Sequence, residues 1–167
     1  MIDLEKFKKV IKIKSNRDLA KYYQTLLKRS FVLEEKLKLA ECRLVIAEIK
    51  IEWSKRLEEG DQTGYPDEGL MSTMGYRVGD TQGIKAEYRK LIMSEILEGP
   101  IPFVNSPAYM REWGSDGSLT RFNKMQRFLN SEINSPLQRN NYRAISEWKD
   151  DLAWLKVEGR QFIISDD

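Results

Sequence analysis

The sequence of 167 residues contains no histidine and a single cysteine, Cys42. Without histidine there is no Ser-His-Asp triad, no Cys-His pair and no HExxH zinc helix. A single cysteine excludes a multi-cysteine zinc site and any disulfide within the chain. Acids, Lys, Tyr and one Cys are left to carry any catalysis, and none falls into a convincing arrangement. We therefore expect a non-enzymatic protein with no catalytic residues, no metal site and no cofactor.

Long hydrophobic runs are also missing. No apolar segment approaches the roughly 18 to 20 residues that span a membrane, and residues 1–6 do not resemble the start of a signal peptide. The lone Cys42 lies in a helical pattern and fits a reducing compartment. These features predict a cytoplasmic protein without a membrane partner.

Charge is balanced overall but unevenly distributed. The chain has 28 Lys and Arg against 26 Asp and Glu, and the first 29 residues hold nine bases and three acids. Residues 60–69 hold three acids and no base. A basic end of this kind can attract phosphate or an acidic protein surface, unless it is only a solvated helix face.

Glycine and proline are absent from residues 17–59, which predicts one long helix or two helices with a slight break. A shorter amphipathic helix is expected before it at residues 3–13, with a break and N-cap at Ser15-Asn16. Apolar and small residues follow an alternation of four and three from Leu19 to Ile51, which is typical of a coiled coil. The large residues of this seam are the predicted self-association residues: Leu19, Tyr23, Leu26, Leu33, Leu37, Leu44 and Ile51.

Residues 44–53 allow a competing interpretation. They are rich in β-branched residues and alternate polar with apolar from Glu48 to Trp53, as a strand would. Glu48 and Lys50 would then form half of a metal-dependent nuclease motif, without an obvious upstream Asp to complete it. The flanking residues are strong helix formers, and helix is the preferred prediction.

The rest of the chain divides into a linker at 60–69, a compact helical domain at 70–160 and a tail at 161–167. Glycine and proline punctuate the linker. Apolar spacing and capping residues predict four short helices within the domain, at 84–98, 107–114, 118–134 and 138–157. Residues 161–164 are apolar enough to dock as a short strand or extended tail. The predicted fold is all-α, with a long coiled-coil-like N-terminal arm and a compact four-helix C-terminal domain.

Three motifs in the second half carry a family resemblance: GYRVG at 75–79, PFVNSPAYMREWG at 102–114 and EWKDDL at 147–152. Together they resemble a segment of uncharacterised bacterial proteins associated with prophages and mobile or defence regions. The resemblance covers residues 70–157 and leaves out the arm. It implies a bacterial or phage setting, and it implies no activity and no functional residues.

A set of basic residues lies on or close to two of the predicted C-terminal helices, at 84–98 and 118–134. If their faces meet, they form a patch that could hold a nucleic-acid backbone or an acidic partner. Nearby acids could equally offset them on a mixed surface. The candidate binding residues are Arg77, Lys85, Arg89, Arg121, Lys124, Arg127 and Arg139.

Three other groups have both a chemical and a structural interpretation. The glycines at 75, 79 and 83 could line a phosphate loop or only tuck Tyr76 into the core. Glu147, Asp150 and Asp151 share one side of a helix, where they could bind a cation or form salt bridges. The C-terminal aromatic residues could stack bases, and at helical spacing they more readily build a core.

The preferred function is a binding or adaptor protein of a bacterial or phage system. It would form a homo-oligomer through the arm and engage a protein partner through the C-terminal domain. The alternative is a nucleic-acid-binding protein that grips the phosphate backbone, and the third possibility is a metal-dependent nuclease.

Overall fold

The computed structural model describes residues 3–60 and 69–165. These residues form two compact units. The first ends at Met74 and also includes Pro100–Pro107, and the second comprises Gly75–Gly99 and the chain from Ala108 onwards. Every regular element in the described residues is helical, and their one β-bridge, between Ser118 and Ser165, is isolated. The all-α prediction is confirmed.

The first unit contains four helices: α1 (Leu4–Ile13), α2 (Asn16–Val32), α3 (Lys36–Glu58) and the short α4 (Leu70–Thr73). Side chains cap the first two helices, since Asp3 accepts from the backbone N–H of Lys6 and Ser15 from that of Asp18. The predicted break at Ser15-Asn16 is therefore present. Both α1 and α2 pack against α3.

The segment predicted as one long helix or two is divided at residues 33–35. No glycine or proline marks this turn. The Ser30 hydroxyl donates to the Leu27 carbonyl at 2.8 Å, a side-chain bond that competes with helix hydrogen bonding near the end of α2. The turn lets α3 fold back on α2, and Tyr23 meets Trp53 with their ring centroids 4.9 Å apart.

This turn overturns the prediction of a continuous self-association seam. Leu19, Tyr23 and Leu26 are buried in the first unit, Leu33 lies in the turn, and the later seam residues Leu37, Leu44 and Ile51 are exposed. The buried side of α3 is a different one, formed by Cys42, Val45, Ile46, Ile49 and Trp53. Residues 44–53 are fully helical, so the strand needed by the nuclease interpretation is absent.

The second unit contains α5 (Ala86–Glu98), α7 (Leu119–Asn134), α8 (Tyr142–Val157) and most of α6 (Pro107–Trp113). Two 3₁₀ helices, Pro136–Gln138 and Gly159–Phe162, precede and follow α8. Residues 161–162 of the predicted tail complete the second 3₁₀ helix, and residues 163–165 dock in extended form at the start of α7. There the Ile164 N–H donates to the Gly117 carbonyl at 2.8 Å, and the Leu119 N–H donates to the Ser165 carbonyl at 3.0 Å.

The predicted domain boundaries agree only in part with these two units. Helix α4 and residues 100–107 belong to the first unit, although both lie in the range expected for the C-terminal domain. Most of the predicted linker, at 61–68, lies outside the described residues, as do the last two residues of the tail. Among the helices that are described, none has the length and apolar character to cross a membrane.

Candidate functional site

Arg121 was predicted to bind a partner, but its side chain is only 2% exposed. Its guanidinium donates to the carbonyls of Ile96 at 3.0 Å and Gly99 at 2.6 Å, at the end of α5, and to Gly114 at 2.8 Å, after α6. Burial lowers the pKa of Arg121, and the nearby Asp116 carboxylate opposes this shift. The last carbonyls of a helix lack backbone hydrogen-bond partners, and a cation placed beside them is stabilising. Arg121 therefore ties two helix ends to α7 inside the second unit.

Arg89, another predicted binding residue, is also buried. It grips Asp151 with two bonds, from Nε at 2.6 Å and from Nη2 at 3.2 Å, and the Tyr76 hydroxyl donates to the same carboxylate at 2.5 Å. Burial raises the pKa of Tyr76, and the negative charge of Asp151 raises it further. The ion pair with Arg89 explains how the Asp151 carboxylate can be buried on the inner side of α8. The placement of Arg89 and Arg121 on a cationic surface is therefore wrong.

Glu147 extends this network to the glycine loop. Its carboxylate accepts from the Gly79 N–H at 2.7 Å and from Arg143 Nε at 3.2 Å, and Arg143 also bonds Asp80 in the loop. The loop is thus fastened to α8 by specific bonds. Tyr76 is buried, as the structural interpretation of the loop predicts. No group of three or more Cys, Asp or Glu in residues 3–60 and 69–165 is arranged to hold a metal ion.

The other candidate basic residues differ in exposure and in their partners. Lys124 pairs with Glu112, and this hydrogen bond lowers the pKa of the Glu112 carboxyl. Arg77 is half-buried and donates to the Tyr76 carbonyl. The exposed members of the set are Lys85, Arg127 and Arg139.

The aromatic residues divide between core and surface. Trp113, Phe122 and Trp148 are buried, whereas Tyr142 is exposed. Cys42 is buried as well. The three buried rings contribute to packing, and the exposed Tyr142 is available to contact a partner.

An apolar stripe runs along the exposed side of α3. Leu37, Leu44 and Ile51, seven residues apart, are 84%, 57% and 61% exposed. Ala40 and Ala47 lie between them and are exposed too. The α3 stripe, defined by these five residues, is the second half of the predicted seam. Large exposed apolar side chains at a regular spacing are typical of interaction surfaces.

An apolar groove lies between α1 and α2 and has a volume of about 640 Å³. Phe7 and Tyr22 meet across it with ring centroids 5.7 Å apart, and Val10 is 38% exposed. Ile11 and Leu19 are buried and form its floor. Three lysines and two aspartates form its rim: Lys6, Lys14, Lys21, Asp3 and Asp18. Sequence reasoning missed this groove, although the apolar spacing of α1 and the basic excess were its visible signals.

A buried arginine also organises the first unit, and it was not singled out from the sequence. Arg56 bonds Glu52 at 2.8 Å and Asn16 at 3.0 Å, and it donates to the Ile11 carbonyl at 2.9 Å near the end of α1. It fixes the end of α1 as Arg121 fixes those of α5 and α6. The i, i+4 spacing of Glu52 and Arg56 was its only sequence signal.

No protein-family model, curated protein or solved structure matches this chain. The surfaces described above are therefore the basis for any functional argument.

Proposed function

We propose that this chain is a non-enzymatic binding protein of a bacterial or phage system that self-associates through the α3 stripe. The observation that carries the proposal is the exposure of Leu37, Leu44 and Ile51 at heptad spacing on one face of a 23-residue helix. Self-association was expected from the whole seam, and the proposal now rests on its second half alone.

The charges beside the stripe support a second copy as the occupant. Lys36 and Arg43 each precede a large stripe residue, and Glu41 and Glu48 each follow an alanine of the stripe. One edge is therefore basic and the other acidic, so the surface is complementary to itself when two α3 helices run parallel. Lys36 and Arg43 are exposed, whereas Glu41 and Glu48 are half-buried and Glu48 already pairs with Lys8 at 3.6 Å. Each new pair therefore contributes at most about 0.2–1 kcal/mol, so charge selects the arrangement more than it sets the affinity.

The apolar contribution sets the expected strength. Full burial of one Leu or Ile side chain is worth about 1.5–3 kcal/mol, and each copy supplies three that are between 57% and 84% exposed. The gross gain for six partly buried side chains is roughly 10 kcal/mol, which is similar to the cost of association itself. We therefore expect a reversible dimer with a dissociation constant in the micromolar range or weaker.

Sedimentation equilibrium of the full chain, over protein concentrations of about 5–500 µM, tests the proposal. The wild type should shift from monomer towards dimer, and Leu44→Glu should remain monomeric because it places a charge at the centre of the stripe. Leu137→Glu is the matched control, since Leu137 is 92% exposed in the second unit. A monomeric wild type, or equal loss of dimer in both variants, would refute self-association through this surface.

The nucleic-acid alternative now depends on the exposed Lys85, Arg127 and Arg139. Retention on DNA or RNA that falls steeply with salt, and that Arg127→Glu with Arg139→Glu removes, would favour it. Arg121 is unsuitable for that test because its replacement would disturb the fold.

A further inference from the structure

The groove between α1 and α2 is a second unpartnered surface, separate from the α3 stripe. The buried Ile11 and Leu19 form its floor, and the half-exposed Phe7, Val10 and Tyr22 complete its apolar lining. A concave apolar surface bounded by charged residues is the form of site that accepts the apolar face of an amphipathic helix. Helix α1 has ten residues and is therefore about 15 Å long, which matches nearly three turns of a docked helix.

The charges on the rim indicate the chemistry of the occupant. The two aspartates are already engaged, since Asp3 caps α1 by accepting from the Lys6 N–H at 3.0 Å and Asp18 accepts from the Ser15 hydroxyl at 2.8 Å. Lys6, Lys14 and Lys21 are exposed and make no ion pair with any residue in 3–60 or 69–165. Both aspartates keep their negative charge, because their hydrogen-bond donors are neutral, so the three lysines leave the rim with a net charge of +1.

The spacing of these lysines favours a peptide over a single anionic headgroup. Lys6 lies in α1 and Lys14 directly follows it, eight residues later and roughly 12 Å away at 1.5 Å per residue. Lys21 lies on the opposite wall, on α2. A lipid carboxylate or phosphate would place its charge at one point. An acidic amphipathic helix carries carboxylates along both sides of its apolar stripe, so it can reach all three ammonium groups.

We infer that this groove binds an acidic amphipathic helix of a partner protein. Apolar side chains at positions i, i+3 or i+4, and i+7 of the partner lie against Phe7, Val10 and Tyr22, and its flanking Asp and Glu residues pair with the rim lysines. This inference does not depend on the α3 stripe or on self-association.

Selection from a displayed library of helical 14-residue peptides tests the inference on the full chain. Three apolar positions at helical spacing are kept and the flanking positions are randomised. Enriched peptides should carry a net excess of Asp and Glu at the flanks. No enrichment, or enrichment of basic or neutral flanks, would overturn the proposal.

Fluorescence anisotropy with the best enriched peptide locates its site. Lys6→Glu with Lys14→Glu should weaken binding at least tenfold, and Val10→Asn should weaken it without changing net charge. Lys9→Glu with Lys12→Glu is the matched control, because both lysines are exposed on α1 outside the groove and the net charge changes equally. Equal losses in the two double variants would overturn the assignment, since only general attraction would then be at work.

Vesicles of phosphatidylcholine with one quarter phosphatidylglycerol test the main competing occupant. We expect no binding of the full chain at physiological salt. Binding to these vesicles that Val10→Asn abolishes, together with an unenriched peptide library, would overturn the proposal in favour of a lipid surface.

Discussion

Replacement of Arg121 by methionine should destabilise the second unit severely. Methionine keeps much of the length and apolar volume of the side chain but removes every donor. In the wild type the buried guanidinium donates hydrogen bonds to the carbonyls of Ile96, Gly99 and Gly114. The substitution therefore isolates the loss of hydrogen bonds and charge from the loss of packing.

The magnitude follows from which carbonyls water can reach. Ile96 and Gly99 are buried, whereas Gly114 is partly exposed and can be rehydrated. An unsatisfied buried acceptor costs about 1–3 kcal/mol, so two of them give an expected loss of about 4 kcal/mol. The ion pair with Asp116 adds little, because that carboxylate is partly exposed and screened by solvent.

Urea denaturation followed by circular dichroism measures this loss. With a slope of about 2 kcal/mol per molar urea, the midpoint should fall by roughly 2 M. Arg127→Met is the control, since Arg127 is exposed on the same helix and should change stability by no more than about 0.5 kcal/mol. If Arg121→Met unfolded at the same urea concentration as this control, the capping role deduced for Arg121 would be refuted.

Two further predictions concern the same unit. Because the pKa of Tyr76 is raised in the folded state by burial and by Asp151, its contribution to stability is complete below about pH 10 and is lost as rising pH ionises the unfolded chain first. The unfolding free energy of the wild type should therefore fall more steeply between about pH 9.5 and 11 than that of Tyr76→Phe, and parallel profiles would contradict this. Gly117 has a positive φ of 66°, and an added Cβ would lie 2.5 Å from the Ile164 side chain. Gly117→Ala should lower the free energy of unfolding, measured by thermal denaturation, by about 2–4 kcal/mol. Gly60→Ala should lower it by only about 1 kcal/mol, because Gly60 has a similar positive φ but open space around it.

Local sequence signals predicted the helices well where caps and breaks were explicit. Ser15 caps α2 as predicted, through a bond from the backbone N–H three residues later. Ser118 and Asn141 cap α7 and α8 in the same way but were not singled out from the sequence, and α8 begins at Tyr142 instead of the predicted residue 138. Gly99 ends α5 near the predicted residue. These elements depend on interactions within a few residues, and such interactions can be deduced from the order of side chains alone.

The turn at residues 33–35 shows where this reasoning fails. No glycine or proline marks it, so the heptad pattern in the sequence runs through it without interruption. The pattern therefore combined a face of α2 and a face of α3 that have different surroundings in the fold. Helix α3 has apolar residues on two sides, and periodicity does not determine which side meets α2. Packing of Trp53 against Tyr23 decides it, which buries one side and leaves Leu37, Leu44 and Ile51 exposed.

The basic residues show the same division between local and long-range information. Arg121 and Arg127 are six residues apart on one helix and have the same chemistry, yet one is buried and the other exposed. Composition and spacing describe both as surface cations. Only the approach of distant carbonyls, from residues 22 to 25 positions earlier, makes Arg121 an interior capping group.

By itself the sequence determined the helical class of the chain, its lack of histidine chemistry and the excess of positive charge near its start, because each depends on composition or on local order. Tertiary structure decided which apolar face of α3 remains exposed, which arginines become interior and where a groove forms between α1 and α2. These features arise from contacts between residues far apart in the chain. Their energies depend on burial and geometry, which a linear pattern does not specify.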